Sequence, residues 1–191
     1  MFKKQIRIIG WDDAAFSKPS KHPSNQFITL VGAVIRGGDY IDGLLTTKIE
    51  VDGLDATEKI IESINNSRHK DQLKIIMTNG VSFGGFNLID IKEVYKTTKL
   101  PIIVIQRKRP NMTEFLKAMK IFSDFKKRKQ IVKNAGMIYK CNKIFYQKIG
   151  LTKKQAEEII KLSSVHSNIP EPIRVAHIIA TGLSGESKGR A

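Results

Sequence analysis

The hydrophobic pattern opens on a short β-branched run. Ile6, Ile8 and Ile9 fall within residues 4–13 and read as a buried strand. Gly10 and Trp11 are expected to end it, and two adjacent carboxylates, Asp12 and Asp13, follow. Residues 27–35 form a second apolar strand. Arg36, Gly37, Gly38 and Asp39 make a hairpin turn, with glycine supplying the positive φ values. Residues 40–51 then read as a third strand. Strands joined this way without a helix form an antiparallel meander. In the third strand the period of two puts Lys48, Glu50 and Asp52 on one face and Ile49 and Val51 on the other.

The period then becomes helical. Asp55 and Glu58 have the spacing of a capping box, and Ile60, Ile61 and Ile64 form the apolar stripe behind them. Residues 73–77 read as a buried fourth strand, parallel to the first because a helix crosses over before it. Residues 81–85 are expected to form a glycine-containing loop, residues 86–98 a helix and residues 101–105 a fifth strand. Asn111 and Glu114 open another helix, which turns Phe115, Leu116, Met119, Phe122 and Phe125 inward. Its outer face and continuation carry Lys117, Lys120, Lys126, Lys127, Arg128, Lys129 and Lys133. Residues 137–145 read as a short strand or irregular edge. Thr152 and Gln155 box a further helix. Pro170 and Pro172 start the last one, whose stripe is Ile173, Ala176, Ile179, Ala180 and Leu183. There is no internal repeat or linker, so residues 1–191 are expected to form one domain, with a flexible tail from about 184.

Charge narrows the partners. The formal charge of +15 over 191 residues favours a polyanion, DNA or RNA, over a neutral partner; a solvated lysine-rich surface is the plainer alternative. The segment Gln106-Arg-Lys-Arg-Pro110 directly follows the fifth strand, and its three cations, Arg107, Lys108 and Arg109, are candidate phosphate contacts. No apolar run suits a membrane span and no leader is evident, so a cytoplasmic chain is expected. The single cysteine, Cys141, leaves no internal disulfide and fits a reducing compartment.

Element order points to an α/β fold with a ribonuclease H-like mixed sheet, three antiparallel strands and then parallel strands, flanked by helices. In that arrangement the ends of the first and fourth strands lie side by side. Asp12 and Asn79 then face each other, with Glu50 or Asp52 alongside, and a late helix can add a ligand. Asp12 and Asp13 can equally cap a turn. Arg174 and His177, one helical turn apart, can face one site.

Four stretches, residues 51–57, 79–87, 169–177 and 185–191, resemble a largely archaeal family of unknown function distantly related to endonuclease V. Asp12 is similar in position to that enzyme's first-strand aspartate. Residues 40–45, Tyr-Ile-Asp-Gly-Leu-Leu, are similar to its Tyr-x-Pro-Gly-Leu-Leu segment, which wedges into nucleic acid. Glu50 is the nearest match to its strand-end glutamate, one residue out of register. Asn79 and Gly80 stand where the enzyme has Asp-Gly, Arg107 where it has lysine, and residues 170–177 where it has Pro-Glu-Pro-Thr-Arg and a metal-side His or Asp. The resemblance implies a Mg or Mn site on Asp12, Glu50 and Asn79, with His177 completing the catalytic group. It further implies nucleic-acid contacts from Tyr40, Gly43, Gly80, Arg107, Lys108 and Arg174. The departures are Asn79 for a carboxylate, Asp42 for the wedge proline, and the absence of the base-pocket histidine segment. Two functions follow: a metal-dependent nuclease, or a nucleic-acid-binding protein that has kept the scaffold without cleavage.

Overall fold

The computed structural model describes residues 5–16, 26–183 and 185–186. Residues 17–25, which include Lys18, Lys21 and His22, and most of the expected tail lie outside the described residues. Strand β1, Arg7–Asp13, pairs antiparallel with β2, Phe27–Arg36, which pairs antiparallel with β3, Tyr40–Glu50. Helix α1, Ala56–Asn65, crosses to β4, Leu73–Asn79, which lies parallel to β1. A small hairpin, β5 (Ser82–Phe83) with β6 (Asn87–Leu88), leads to α2, Ile91–Thr98. Strand β7, Ile102–Gln106, is parallel to β4. Helices α3, Met112–Ala118, and α4, Phe125–Asn134, precede the hairpin of β8, Tyr139–Cys141, and β9, Ile144–Ile149. Helices α5, Lys153–Ser163, and α6, Glu171–Gly182, are the last elements among the described residues. The sheet order is β3-β2-β1-β4-β7-β9-β8, so the meander and the parallel strands stand as expected, and an antiparallel hairpin closes the far edge. No described helix is long and apolar enough to cross a membrane.

Each sheet face carries its own core, as strand alternation requires. Ile9, Trp11, Leu30 and Ile76 pack against Ile60 and Ile64 of α1 and Val94 of α2. Ile8, Ile75, Met77 and Ile103 pack against Ile159 and Ile160 of α5 and Ile173 of α6. Gly10 does not end the first strand. It lies in the middle of β1, opposite Ala33 and beside Met77. A Cβ on Gly10 would come within 2.2 Å of the Pro172 carbonyl carbon. The start of α6 therefore rests on bare β1 backbone, and only glycine permits that approach.

Other departures have local causes. Asp55 holds the N-cap position of α1 but caps nothing. Its carboxylate instead accepts from Asn87 Nδ2 at 2.5 Å, and the Ala56 N–H donates to Asn87 Oδ1 at 3.0 Å. The second helix begins at Ile91 rather than 86, because Gly84 and Gly85 take positive φ and turn the β5–β6 hairpin first. The basic helix is broken by a 3₁₀ turn at Met119–Ile121. Arg128 is not on its outer face: it is 4% exposed, pairs with Asp124 at 2.6 Å, and donates to the carbonyls of Asp52, Gly53 and Phe86. The amphipathic pattern does not separate an inward arginine from its outward neighbours, because the partners come from distant turns.

Replacing Gly10 tests the seat of α6. Gly10→Val should lower stability in urea unfolding by at least about 1–3 kcal/mol, the usual cost of overpacking. An unchanged midpoint would show that α6 does not need the bare strand.

Candidate functional site

Asp12 is 3% exposed at the C-terminal end of β1, on the sheet face that α6 covers. Three donors hold its carboxylate. The Asp13 N–H reaches Oδ1 at 3.0 Å, Asn79 Nδ2 reaches Oδ2 at 3.0 Å, and His177 Nδ1 lies 2.8 Å from the same Oδ2. The donors come from β1, the end of β4 and the second turn of α6. Parallel pairing of β1 with β4 sets the first meeting, and the close seat of α6 over Gly10 sets the second. A carboxylate held this way is preorganised, with little rotational freedom left to lose on binding.

Glu50 lies apart from this group. It is opposite Phe27 on β2, whereas Asp12 is opposite Val31, four positions (31 − 27) along the strand. Both side chains use the same sheet face, but that offset is about 13 Å along a strand. Asp52 is outside β3, at φ 58°, and its Oδ1 accepts the Phe86 N–H at 2.8 Å. Among the described residues no three His, Cys, Asp or Glu side chains gather closely enough to hold one metal ion.

The remaining candidates divide. Tyr40 is 56% exposed on the edge strand, with the Arg36 guanidinium stacked on its ring at 4.5 Å. Asp42, the departure from the wedge proline, is bulged out of the β2–β3 register and tied to Arg7 and Arg36. Gly43 has a packing role: a Cβ there would come within 2.4 Å of His69 Nε2. Arg174 is committed to buried Glu171, donating at 2.7–2.9 Å from Nε and Nη2. Arg107 and Lys108 are exposed in the loop after β7, at the same end of the sheet as Asn79, which is opposite Ile105. Gly80, at φ 83°, has open space where a side chain would be.

That space belongs to a cleft of about 110 Å³, lined by Gly80, Ser82, Gln106, Met112, Phe115 and Gln147 among others. On the opposite face from Asp12, Asp13 Oδ2 accepts the Gly84 N–H at 2.7 Å. Burial pushes the Asp13 carboxyl up to about 6; the Gly84 N–H opposes this and the Asp12 charge adds to it.

Residues 4–184 match the family described as Endonuclease dU. A UPF0215 protein of Methanosarcina mazei is 48% identical over 196 residues, covering 99% of this chain and 96% of that one. The crystal structure of a protein of unknown function from Archaeoglobus fulgidus superimposes with a TM-score of 0.87 at 39% identity, covering 94% of this chain and 98% of that one. Endonuclease V of Ciona intestinalis, bound to a 24mer DNA containing an inosine followed by a ribo-adenosine, has a TM-score of 0.56 at 14% identity, covering 91% and 83%. The ribonuclease H-like fold is thus shared with endonuclease V.

Asp13 gives a pH test. Its folded value lies above the ordinary 3.8, so the folded chain holds this proton more tightly. Its contribution is full below about pH 4 and is lost as pH rises through about 6. Relative to wild type in chelator, Asp13→Asn should gain on the order of 2–3 kcal/mol in urea unfolding across that window, then stay level. A constant difference between the two chains would refute the shift.

Proposed function

We propose that this chain, which belongs to the archaeal Endonuclease dU family, is a metal-dependent nuclease that hydrolyses a phosphodiester in nucleic acid, folded as one domain over residues 1–191. The family's description makes deoxyuridine-bearing DNA the leading substrate class. The observation that carries the reading is the immobilised Asp12 carboxylate, with Asn79 and His177 on it, at the end of the central strand. Exposed Arg107, Lys108 and the lysines of α3 and α4 would bind the phosphates.

The donors suit a lightly held ion. Mg²⁺ commonly keeps several waters and takes one or two carboxylates plus substrate phosphates. Asp12 supplies one carboxylate, and Asn79 supplies a neutral oxygen once its amide turns. When bound, Mg²⁺ or Mn²⁺ would polarise the phosphodiester and lower the pKa of a water. The chain's own work is to fix Asp12 through the Asp13 N–H and His177, and to hold the strand by its cations. Glu50, on the same face, would need the substrate to draw it in.

A second reading, nucleic-acid binding without cleavage, is favoured by the same Asn79, which donates to Asp12 where a carboxylate would compete for a cation. Cleavage assays with Mg²⁺ or Mn²⁺ on single- and double-stranded DNA and RNA, with and without deoxyuridine or inosine, separate the two. Wild type should cut and Asp12→Ala should lose about 10²-fold or more, on the scale of lost transition-state charge stabilisation. Asn79→Asp should raise activity at low metal. Salt-sensitive binding with no cut in wild type, and cutting only in Asn79→Asp, would establish the binder.

A further inference from the structure

We propose that β3 is the edge along which two copies of this chain pair, strand to strand and antiparallel, into a two-fold dimer. The proposal stands independently of the nuclease reading.

The two edges of the sheet are built differently. A free edge strand offers a row of unpaired N–H and C=O groups to any other strand, and folded chains ordinarily blunt such an edge. At one edge β8 is blunted: it is three residues long, and Lys140 and Lys143 stand exposed on it and in its turn. At the other edge β3 runs for 11 residues. The bulge at Asp42 interrupts it only near its start. Beyond the bulge the pairing with β2 is regular, from Gly43 opposite Val34 to Glu50 opposite Phe27. That run is about 26 Å of strand, and no described strand pairs with its outer side.

Side chains mark the same edge. Leu44 stands opposite Ala33 and Ile41 opposite Ile35, and Ala33 and Ile35 pack with Ala176 of α6. Ile41 and Leu44 therefore lie on the sheet face that α6 covers, one strand further out. They remain 52% and 48% exposed. Val175 of α6 joins the Ala33–Ile35 cluster only partly buried, and Ile178 of the same helix is exposed. A second β3 laid alongside would continue this face and cover its apolar side chains.

Charge says which occupant fits. A chain with a formal charge of +15 repels its own kind over most of its surface. Residues 27–52 differ: they hold two cations, Arg36 and Lys48, against four acids, Asp39, Asp42, Glu50 and Asp52. Asp42 is ion-paired with Arg7 and Arg36, and Asp52 accepts the Phe86 N–H. Two copies can thus approach here without the general repulsion. Antiparallel pairing also sets exposed Lys48, near one end of the run, towards the Asp39 end of the other strand. An excess of acids disfavours a nucleic-acid backbone as the occupant. A second copy always brings an equally long, equally uncovered edge. Each chain has one such edge, so pairing closes at two copies and does not propagate into a fibre.

The test is sedimentation equilibrium of nuclease-treated protein in chelator, from about 1 to about 100 μM and at about 0.1 and 1 M NaCl. Wild type should approach twice the 21.5 kDa of one chain. It should do so at lower concentration in high salt, because screening weakens the repulsion between two positive chains. Leu44→Lys and Ile41→Lys each bring like charges together across the two-fold and should weaken association roughly ten-fold or more. Ile121→Lys alters a more exposed apolar side chain, away from β3 in the turn between α3 and α4, and should leave association unchanged. Hydrogen exchange of wild type needs no variant: the β3 amides that β2 does not bond should slow as concentration rises. A monomer at every concentration and salt would overturn the proposal. So would a dimer untouched by both β3 variants, or β3 amides indifferent to concentration, which decides the matter should those variants fail to fold. Association that dissolves in high salt would overturn it too, and would mark nucleic acid bridging two basic surfaces. A monomer whose DNA binding is lost in Leu44→Lys would give the edge to nucleic acid instead.

Discussion

The carboxylate of Asp12 is the point on which three parts of this chain, far apart in sequence, converge. It is nearly sealed from solvent, and a buried charge without partners would be prohibitively costly. Its partners arrive from β1 itself, from the end of β4 and from α6. The approach of α6 depends on a strand with no side chain at Gly10, since any Cβ would overlap the Pro172 backbone. Small residues continue the contact where Ala33 and Ala176 pack together. The central strand, its glycine and the last helix thus act as one device for holding one carboxylate still.

The choice of asparagine at position 79 changes what that device can do when empty of cations. Two carboxylates at hydrogen-bond distance cannot both ionise without one being pushed up or an ion being drawn in. An amide donates instead, so Asp12 stays satisfied in the folded chain with no metal at all. The structure is therefore free of the charge strain that a full acidic cluster would impose. The same economy weakens the pull on a divalent ion, because one negative charge is missing. Asp13 does not restore it from its present position: its side chain points to the other face and is engaged by the Gly84 N–H.

Much of this was legible in the sequence where the signal was local. The isoleucine run of β1, the meander, the parallel β4, and the Thr152 box with Gln155 all follow from spacing and residue type, and each is in the structure. The meeting of Asp12 with Asn79 followed from element order, His177 was placed beside them by the family resemblance, and Glu50, expected alongside, is not there. What was not legible depended on groups far apart in the chain. Gly10 was expected to end a strand because glycine usually weakens one; its use as a landing surface needs Pro172, 162 positions (172 − 10) away. Asp55 looked like a cap, but Asn87 from a later hairpin takes over the α1 amide and leaves Asp55 to bind Asn87. Arg128 looked like one more surface cation until three carbonyls from two other loops claimed it.

Arg128 also decides what kind of basic surface α3 and α4 form. A helix carrying many lysines repels itself and its neighbours, and would swing outward if held only by its partly buried phenylalanines. The Arg128 guanidinium instead bonds the Asp124 carboxylate and the carbonyls of Asp52, Gly53 and Phe86, and stacks over the Phe122 ring at 4.1 Å. Burying that one cation spends charge that could have faced a phosphate. In return it fixes α4 against the turn that follows β3 and the hairpin that follows β4. The Val132 and Phe115 side chains are thereby kept at the rim of the cleft beside Gly80. The lysines left outside then sit on a helix that Arg128 ties to two loops. On the proposed nucleic-acid reading, cations on a helix fixed in this way would hold phosphates at a set distance from Asp12, the positioning that an immobilised carboxylate needs to act on a strand.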